Sequence, residues 1–157
     1  MLGLSIALAM IMSYIEVLVP LSFAVPGIKM GLANIVIIFV LYKIGTKEAI
    51  LVSLIRVILV SMLFSNVMSM WYSLAGAVLS LLVMWILKKT DKFSVIGVSG
   101  AGGSKHNVGQ IIIAIILLGT EQIALYLPVL IVTGTITGIV IGIVAGLVIN
   151  RFKNIRL

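Results

Sequence analysis

Apolar residues run along this chain in six blocks, separated by short stretches rich in Gly, Pro, Lys, Ser and Asn. A membrane-spanning helix needs about 20 mainly apolar residues. The blocks predict spans near 3–23, 28–43, 48–64, 69–87, 93–120 and 129–150. Pro20 and Pro26 mark the end of the first, because proline cannot continue a helical hydrogen-bond ladder. The second is short from Met30 to Tyr42, and lengthens only if Ile28 and Lys29 join it with the amine snorkelling to the interface. Lys43, Gly45, Lys47 and Glu48 form one polar turn and Ser65-Asn66 another, while Lys88-Lys89-Thr90-Asp91-Lys92 is the most hydrophilic stretch. The fifth block reads two ways. It starts near Phe93 and carries Gly97 to Gly103 inside the membrane, or it runs from His106 to Tyr126 and leaves the glycines as a loop. Both satisfy the length rule. Either way the pattern predicts a single all-α integral membrane domain, a six-helix transmembrane bundle over 1–157.

Composition sharpens this. Soluble domains are about 45–50% apolar and about 25% charged, whereas this chain is 62% hydrophobic and 10% charged, with mean hydropathy +1.37. That excludes a soluble globular domain and a disordered chain. The formal net charge is +7, but the basic residues gather at the ends of apolar runs, as the positive-inside bias requires, and imply no nucleic-acid partner. If the spans alternate, eight basic residues share one face (Lys43, Lys47, Lys88, Lys89, Lys92, Arg151, Lys153 and Arg156) against Lys29 on the other. Both termini are therefore expected in the cytoplasm of a multi-pass protein. The chain has no cysteine, which removes disulfide and thiolate chemistry. A cleaved signal peptide is not expected, because the first basic residue is Lys29 and Glu16 interrupts the first apolar run.

Gly134, Gly138, Gly142 and Gly146 recur every four residues in the last span and form a smooth stripe, about 18 Å long at 1.5 Å per residue. Small residues at this spacing let helix backbones approach closely where lipid supplies no hydrophobic force. The stripe serves packing within the bundle or docking of another membrane subunit. Gly3 and Ala7, with Ser5 and Ala9, form a weaker version in the first span.

Ionisable groups at membrane depth cost about 2.5–3.5 kcal/mol or more, so each is a functional candidate with a partner to be found. Glu16 lies in the outer half of the first span, Asn34 early in the second and Arg56 near the middle of the third. His106, Asn107 and Gln110 cluster in the fifth, with Glu121 and Gln122 late in it. One reading makes Glu16 and Arg56 a buried structural ion pair, with Asn107 and Gln110 as interhelical glue. The other makes Glu16, Lys29, Asn34, Arg56, His106, Asn107 and Gln110 the lining of a site for a small polar or anionic ligand, beside Lys105.

Catalysis finds little support. Prenyl transfer with Mg²⁺ needs clustered carboxylates, and the chain has one aspartate, Asp91. Ser99-Gly100-Ala101-Gly102-Gly103-Ser104-Lys105 looks like a phosphate loop, but His106 stands where Ser or Thr is required and the glycine spacing is wrong. With one histidine and no cysteine, no metal site and no cofactor are expected. Any ATP-driven step must belong to another protein.

Two segments carry a resemblance: Pro26-Gly27-Ile28-Lys29-Met30-Gly31-Leu32-Ala33-Asn34 and His106-Asn107-Val108-Gly109-Gln110. They resemble the signatures of a bacterial membrane family called the Gx transporter family, or heptaprenyl diphosphate synthase component I. That family is similar in size and topology to the substrate-binding S components of energy-coupling-factor vitamin transporters. The resemblance implies a plasma-membrane bundle with a ligand pocket near its outer face, capped by the loop between spans one and two. Lys29 and Asn34 would be lid and wall residues, and His106, Asn107 and Gln110 would line the pocket. It favours the longer fifth span. It also implies docking of span one on a transmembrane coupling subunit served by separate ATPases, with Gly3/Ala7 or Ser5/Ala9 in place of the usual alanine pair. The family name implies instead a non-catalytic accessory role beside a soluble prenyl synthase subunit. Membrane lipid and a small-molecule substrate complete the expected partners.

Overall fold

The computed structural model describes residues 1–18 and 31–152. Among them the chain forms α1 (Leu2–Leu18), α2 (Ala33–Lys43), α3 (Thr46–Phe64), α4 (Val67–Lys89), α5 (Val95–Leu118) and α6 (Leu127–Arg151). A short 3-10 turn, Glu121–Tyr126, leads into α6. The described residues contain no strand. Three segments are long and apolar enough to cross a membrane: α4, α5, and the 3-10 turn with α6. Helices α1 and α2 are apolar but shorter, and α3 carries Lys47, Glu48 and Arg56.

The breaks follow from local chemistry. Asn66 caps α4, its side chain accepting the Ser69 N–H at 2.8 Å. Ser94 caps α5 by accepting the Gly97 N–H at 3.2 Å. These side chains satisfy amides that have no partner inside the helix. Gly119 closes α5 in the left-handed region, φ 63°, where a residue with a Cβ is strained. Pro128 sits in the first turn of α6, where its missing N–H costs nothing. The fifth segment is thus one continuous helix that includes Gly97 to Gly103. Glu121 and Gln122 fall outside it, exposed on the 3-10 turn, because Gly119 ends the helix first.

Short connections make sequential helices antiparallel, and the contacts agree. Helix α5 is the middle layer between α4 and α6, and glycine lets it approach both at backbone distance. A Cβ added at Gly109 would lie 2.6 Å from the Ala75 carbonyl oxygen, and one at Gly76 would lie 2.8 Å from that of His106. On the other side, a Cβ at Gly134 would lie 2.7 Å from the Gly103 carbonyl oxygen. Gly138 meets Ser99 and Gly100, and Gly142 meets Ile96 and Ser99. Three glycines of the α6 stripe therefore pack inside the bundle, whereas a Cβ at Gly146 would meet nothing within 4 Å.

At the opposite end from the Ser65-Asn66 turn, lysines tie helix termini together. Lys43 Nζ donates to the Phe152 carbonyl at 2.6 Å. Lys88 Nζ donates to the Leu41 carbonyl at 2.5 Å and lies 5.2 Å from the centre of the Tyr42 ring. Cations here also complement the negative ends of the helix dipoles. Large apolar side chains point outward, as with Leu4 and Leu8 on α1, Leu82 on α4 and Leu147 on α6, while Ser5, Ala9 and Ser13 face inward. Such a surface suits lipid and not water.

Replacing Gly134 with Ala forces a methyl onto backbone and is expected to destabilise the detergent-solubilised protein by about 1–3 kcal/mol. Replacing Gly146 with Ala is expected to change stability by less than about 0.5 kcal/mol. Thermal unfolding of the two variants side by side checks both.

Candidate functional site

Between α1–α3 and the α4–α5–α6 layer lies a cavity of about 480 Å³ to which all six helices contribute. Its lining extends from Glu16, Gly31, Phe64 and Ser65 to Met84, Ser99 and Ile141. The volume is that of a small-molecule pocket.

Arg56 enters this cavity from the middle of α3. Its Nη1 donates to the Ser13 hydroxyl at 3.3 Å, and that hydroxyl donates in turn to the Ala9 carbonyl at 2.9 Å. The Nε of Arg56 is buried and has no hydrogen-bond partner. Glu16 stands one turn beyond Ser13 on the same face of α1, close enough for its charge to act on Arg56. The Glu16 carboxylate also accepts the Gly31 N–H. Gly31 has φ 75°, a left-handed conformation in which a side chain would be strained. Asn34, one helical step on, packs against it.

From the other side come His106 and Asn107. The His106 ring packs over Gly76, whose missing side chain gives it room. Asn107 is buried, with its Nδ2 donating to the Leu130 carbonyl at 2.6 Å. Gly134 lies against the same amide nitrogen. The amide thus fixes α5 to α6.

Five of the candidate ligand residues therefore share one cavity: Glu16, Asn34, Arg56, His106 and Asn107. Gln110, one turn above His106, is half-buried and does not line it, and Lys105 is exposed. Lys29 lies outside the described residues. Sequence reasoning missed the hydroxyls. Seven serines line the cavity, including Ser69, Ser73 and Ser80 from α4, with Thr137 from α6. Their signal was available: steps of four and seven residues keep Ser69, Ser73 and Ser80 on one helix face, opposite the exposed Val78, Leu82 and Trp85.

Ser99 to Lys105 are helical, so their amides bond within the helix and cannot cradle a phosphate. Among the described residues no three His, Asp or Glu side chains come together. Glu16 is the one carboxylate lining the cavity among them, and it faces a guanidinium. This donor set does not fit a magnesium diphosphate centre.

A family model described as heptaprenyl diphosphate synthase component I matches residues 5–148. The chain belongs to this family. The match takes in residues of all six helices and every described cavity residue. The family name marks its members as one component working with another synthase subunit. No curated protein and no solved structure shows a significant match to the chain.

Converting Asn107 to Asp puts a carboxylate against the Leu130 carbonyl in place of a donor. Loss of the bond with an uncompensated buried acceptor costs about 1–3 kcal/mol or more. Asn107→Asp is expected to melt below Asn107→Ala, which removes the bond without adding a charge. The order of the two melting temperatures is the measurement.

Proposed function

We propose that the protein is a membrane-embedded substrate-binding or transport subunit that takes a small polar or anionic solute into the cavity. The observation that carries this reading is the contrast between the apolar exterior and a cavity lined by Arg56, His106, Asn34, Asn107 and serine hydroxyls. Polar groups at membrane depth are costly and are kept where they meet each other or a ligand. The fold class, six spans with both termini in the cytoplasm of a bacterial plasma membrane, resembles that of S components. Gly3 and Ala7 lie exposed on α1, which supports docking on a coupling subunit that draws energy from separate ATPases. Lys29, which belongs to the segment just before Gly31, completes the site in this reading as part of a lid.

The binding claim is tested with purified protein against a panel of vitamins, their precursors and prenyl diphosphates. At least one member is expected to raise the melting temperature. Arg56→Ala is expected to weaken its binding by about tenfold to a hundredfold, the loss of one charged hydrogen bond or more. If no member binds, and Arg56→Ala and His106→Ala leave cells unaffected, the reading fails.

The topology is tested separately, and the absence of native cysteine makes this direct. Thr120→Cys is expected to react with an impermeant maleimide on intact cells, and Thr90→Cys only after the membrane is opened. Labelling of Thr90→Cys from outside rules out the proposed orientation.

A second reading, favoured by the family description, is a non-catalytic accessory component of heptaprenyl diphosphate synthesis. Co-purification with a soluble subunit rich in Asp-Asp motifs, and loss of long-chain product on deletion, would support it.

A further inference from the structure

We propose that Arg56 anchors a single carboxylate of the solute through its Nε–H edge, so that the substrate class is a small monocarboxylic acid bearing hydroxyl or amide groups. This rests on the solute-binding reading above and narrows it.

The first support is the state of the guanidinium. Nη1 is committed to Ser13, whereas Nε is buried without a partner. A buried donor on a charged group is costly to leave unpaired. The Nε edge of a guanidinium presents two parallel N–H groups, which match the two oxygens of a carboxylate. Ser13 holds the opposite part of the group, so the fork is oriented before a ligand arrives. Pre-orientation of this kind lowers the entropy lost on binding.

Charge supplies the second support. Among the described cavity residues Arg56 is the one arginine or lysine, and Glu16 already acts on it. One carboxylate can accept from the Arg56 Nε edge and from the surrounding hydroxyls. A diphosphate brings at least one more negative charge, and an uncompensated charge in a desolvated site costs several kcal/mol. Within the described lining a diphosphate thus meets a single cation, Arg56.

Size and lining supply the third. At about 480 Å³ the cavity is in the range of small-molecule pockets. Ser69, Ser73 and Ser80 extend the lining along α4, over about 16 Å at 1.5 Å per residue. Hydroxyls both donate and accept, so this ladder offers partners to hydroxyl or amide groups beside the apolar part of the lining.

The test is to purify the full-length protein gently from its native membranes, denature it, and identify the released small molecules by mass spectrometry. Arg56→Gln and Lys89→Gln are treated in parallel, the latter removing a charge at the far end of α4. The expected result is an acid with one carboxylate, recovered from the wild type and from Lys89→Gln but reduced more than tenfold in Arg56→Gln. Rebinding of that acid, with its uncharged amide as the comparison, is expected to favour the acid by more than tenfold. Should Arg56→Gln not fold, the identity of the wild-type molecule and the rebinding comparison still decide the matter. Recovery of an uncharged solute overturns the carboxylate assignment while leaving the solute-binding reading standing. Recovery of a prenyl diphosphate overturns the assignment and favours the accessory role. Recovery of nothing, from the wild type and in every preparation, overturns both readings.

Discussion

Backbone-to-backbone contact at glycine is the constraint on which this bundle depends. Lipid is as apolar as leucine, so burying apolar side chains against each other gains little there, and close packing must supply the attraction. Helix α5 achieves it on two sides at once, through Gly109 against Gly76 on α4 and Gly103 against Gly134 and Gly138 on α6. At these points a single methyl meets backbone atoms that cannot turn aside. Dispersion between atoms in contact is small for each pair but accumulates along three helices held this closely. His106 and Asn107 sit within the same contact zone, so glycine packing sets the position of both.

The inner surfaces are made of small and polar residues, and the large apolar ones are turned outward. Helix α1 shows it along its length: Ser5, Ala9 and Ser13 are buried, while Leu4, Leu8 and Ile11 are exposed. In water this arrangement would unfold or aggregate. In a bilayer it inverts the usual cost, because the polar interior needs partners and the apolar exterior does not. Most described polar groups inside the bundle have found theirs: Ser99 Oγ donates to the Gly138 carbonyl at 2.6 Å, and Asn107 donates to that of Leu130. Two have not: Arg56, with one nitrogen on Ser13 and Nε without a partner, and Tyr42, whose hydroxyl has none.

Much of this was legible in the sequence because its cause is local. Apolar runs and the Ser65-Asn66 turn act within a few residues, and the described residues form six helices in the order of the six apolar blocks. The fifth segment was ambiguous for an equally physical reason. Glycine weakens a helix by about 1 kcal/mol per residue relative to alanine, so Gly97 to Gly103 reads as a loop until α4 and α6 are known to press on it. Glu16, Asn34, Arg56, His106 and Asn107 stood out as polar residues in apolar surroundings, and all five line one cavity. Gln110 stood out equally and does not line it, since rotational phase on a helix says nothing about depth. The serines were passed over because a hydroxyl can bond to its own helix and needs no site to explain it.

The cavity lies beside the glycine contacts, with Gly103, Gly134 and Gly138 in its lining. On the α4–α5–α6 side glycine brings backbones together where Gly76 meets Gly109, Gly103 meets Gly134, and Gly138 meets Ser99 and Gly100. On the facing side, at the same depth, α1 and α3 present Ser13, Glu16, Arg56 and Ser61. The long side chains of Glu16 and Arg56 hold the facing backbones apart, and a guanidinium and a carboxylate both need polar surroundings to stay charged. The two halves of the bundle therefore cannot close on each other there without burying unpaired charge. A space lined by polar groups is the arrangement that satisfies both sides, so the residues that prevent closure are the ones a solute would meet.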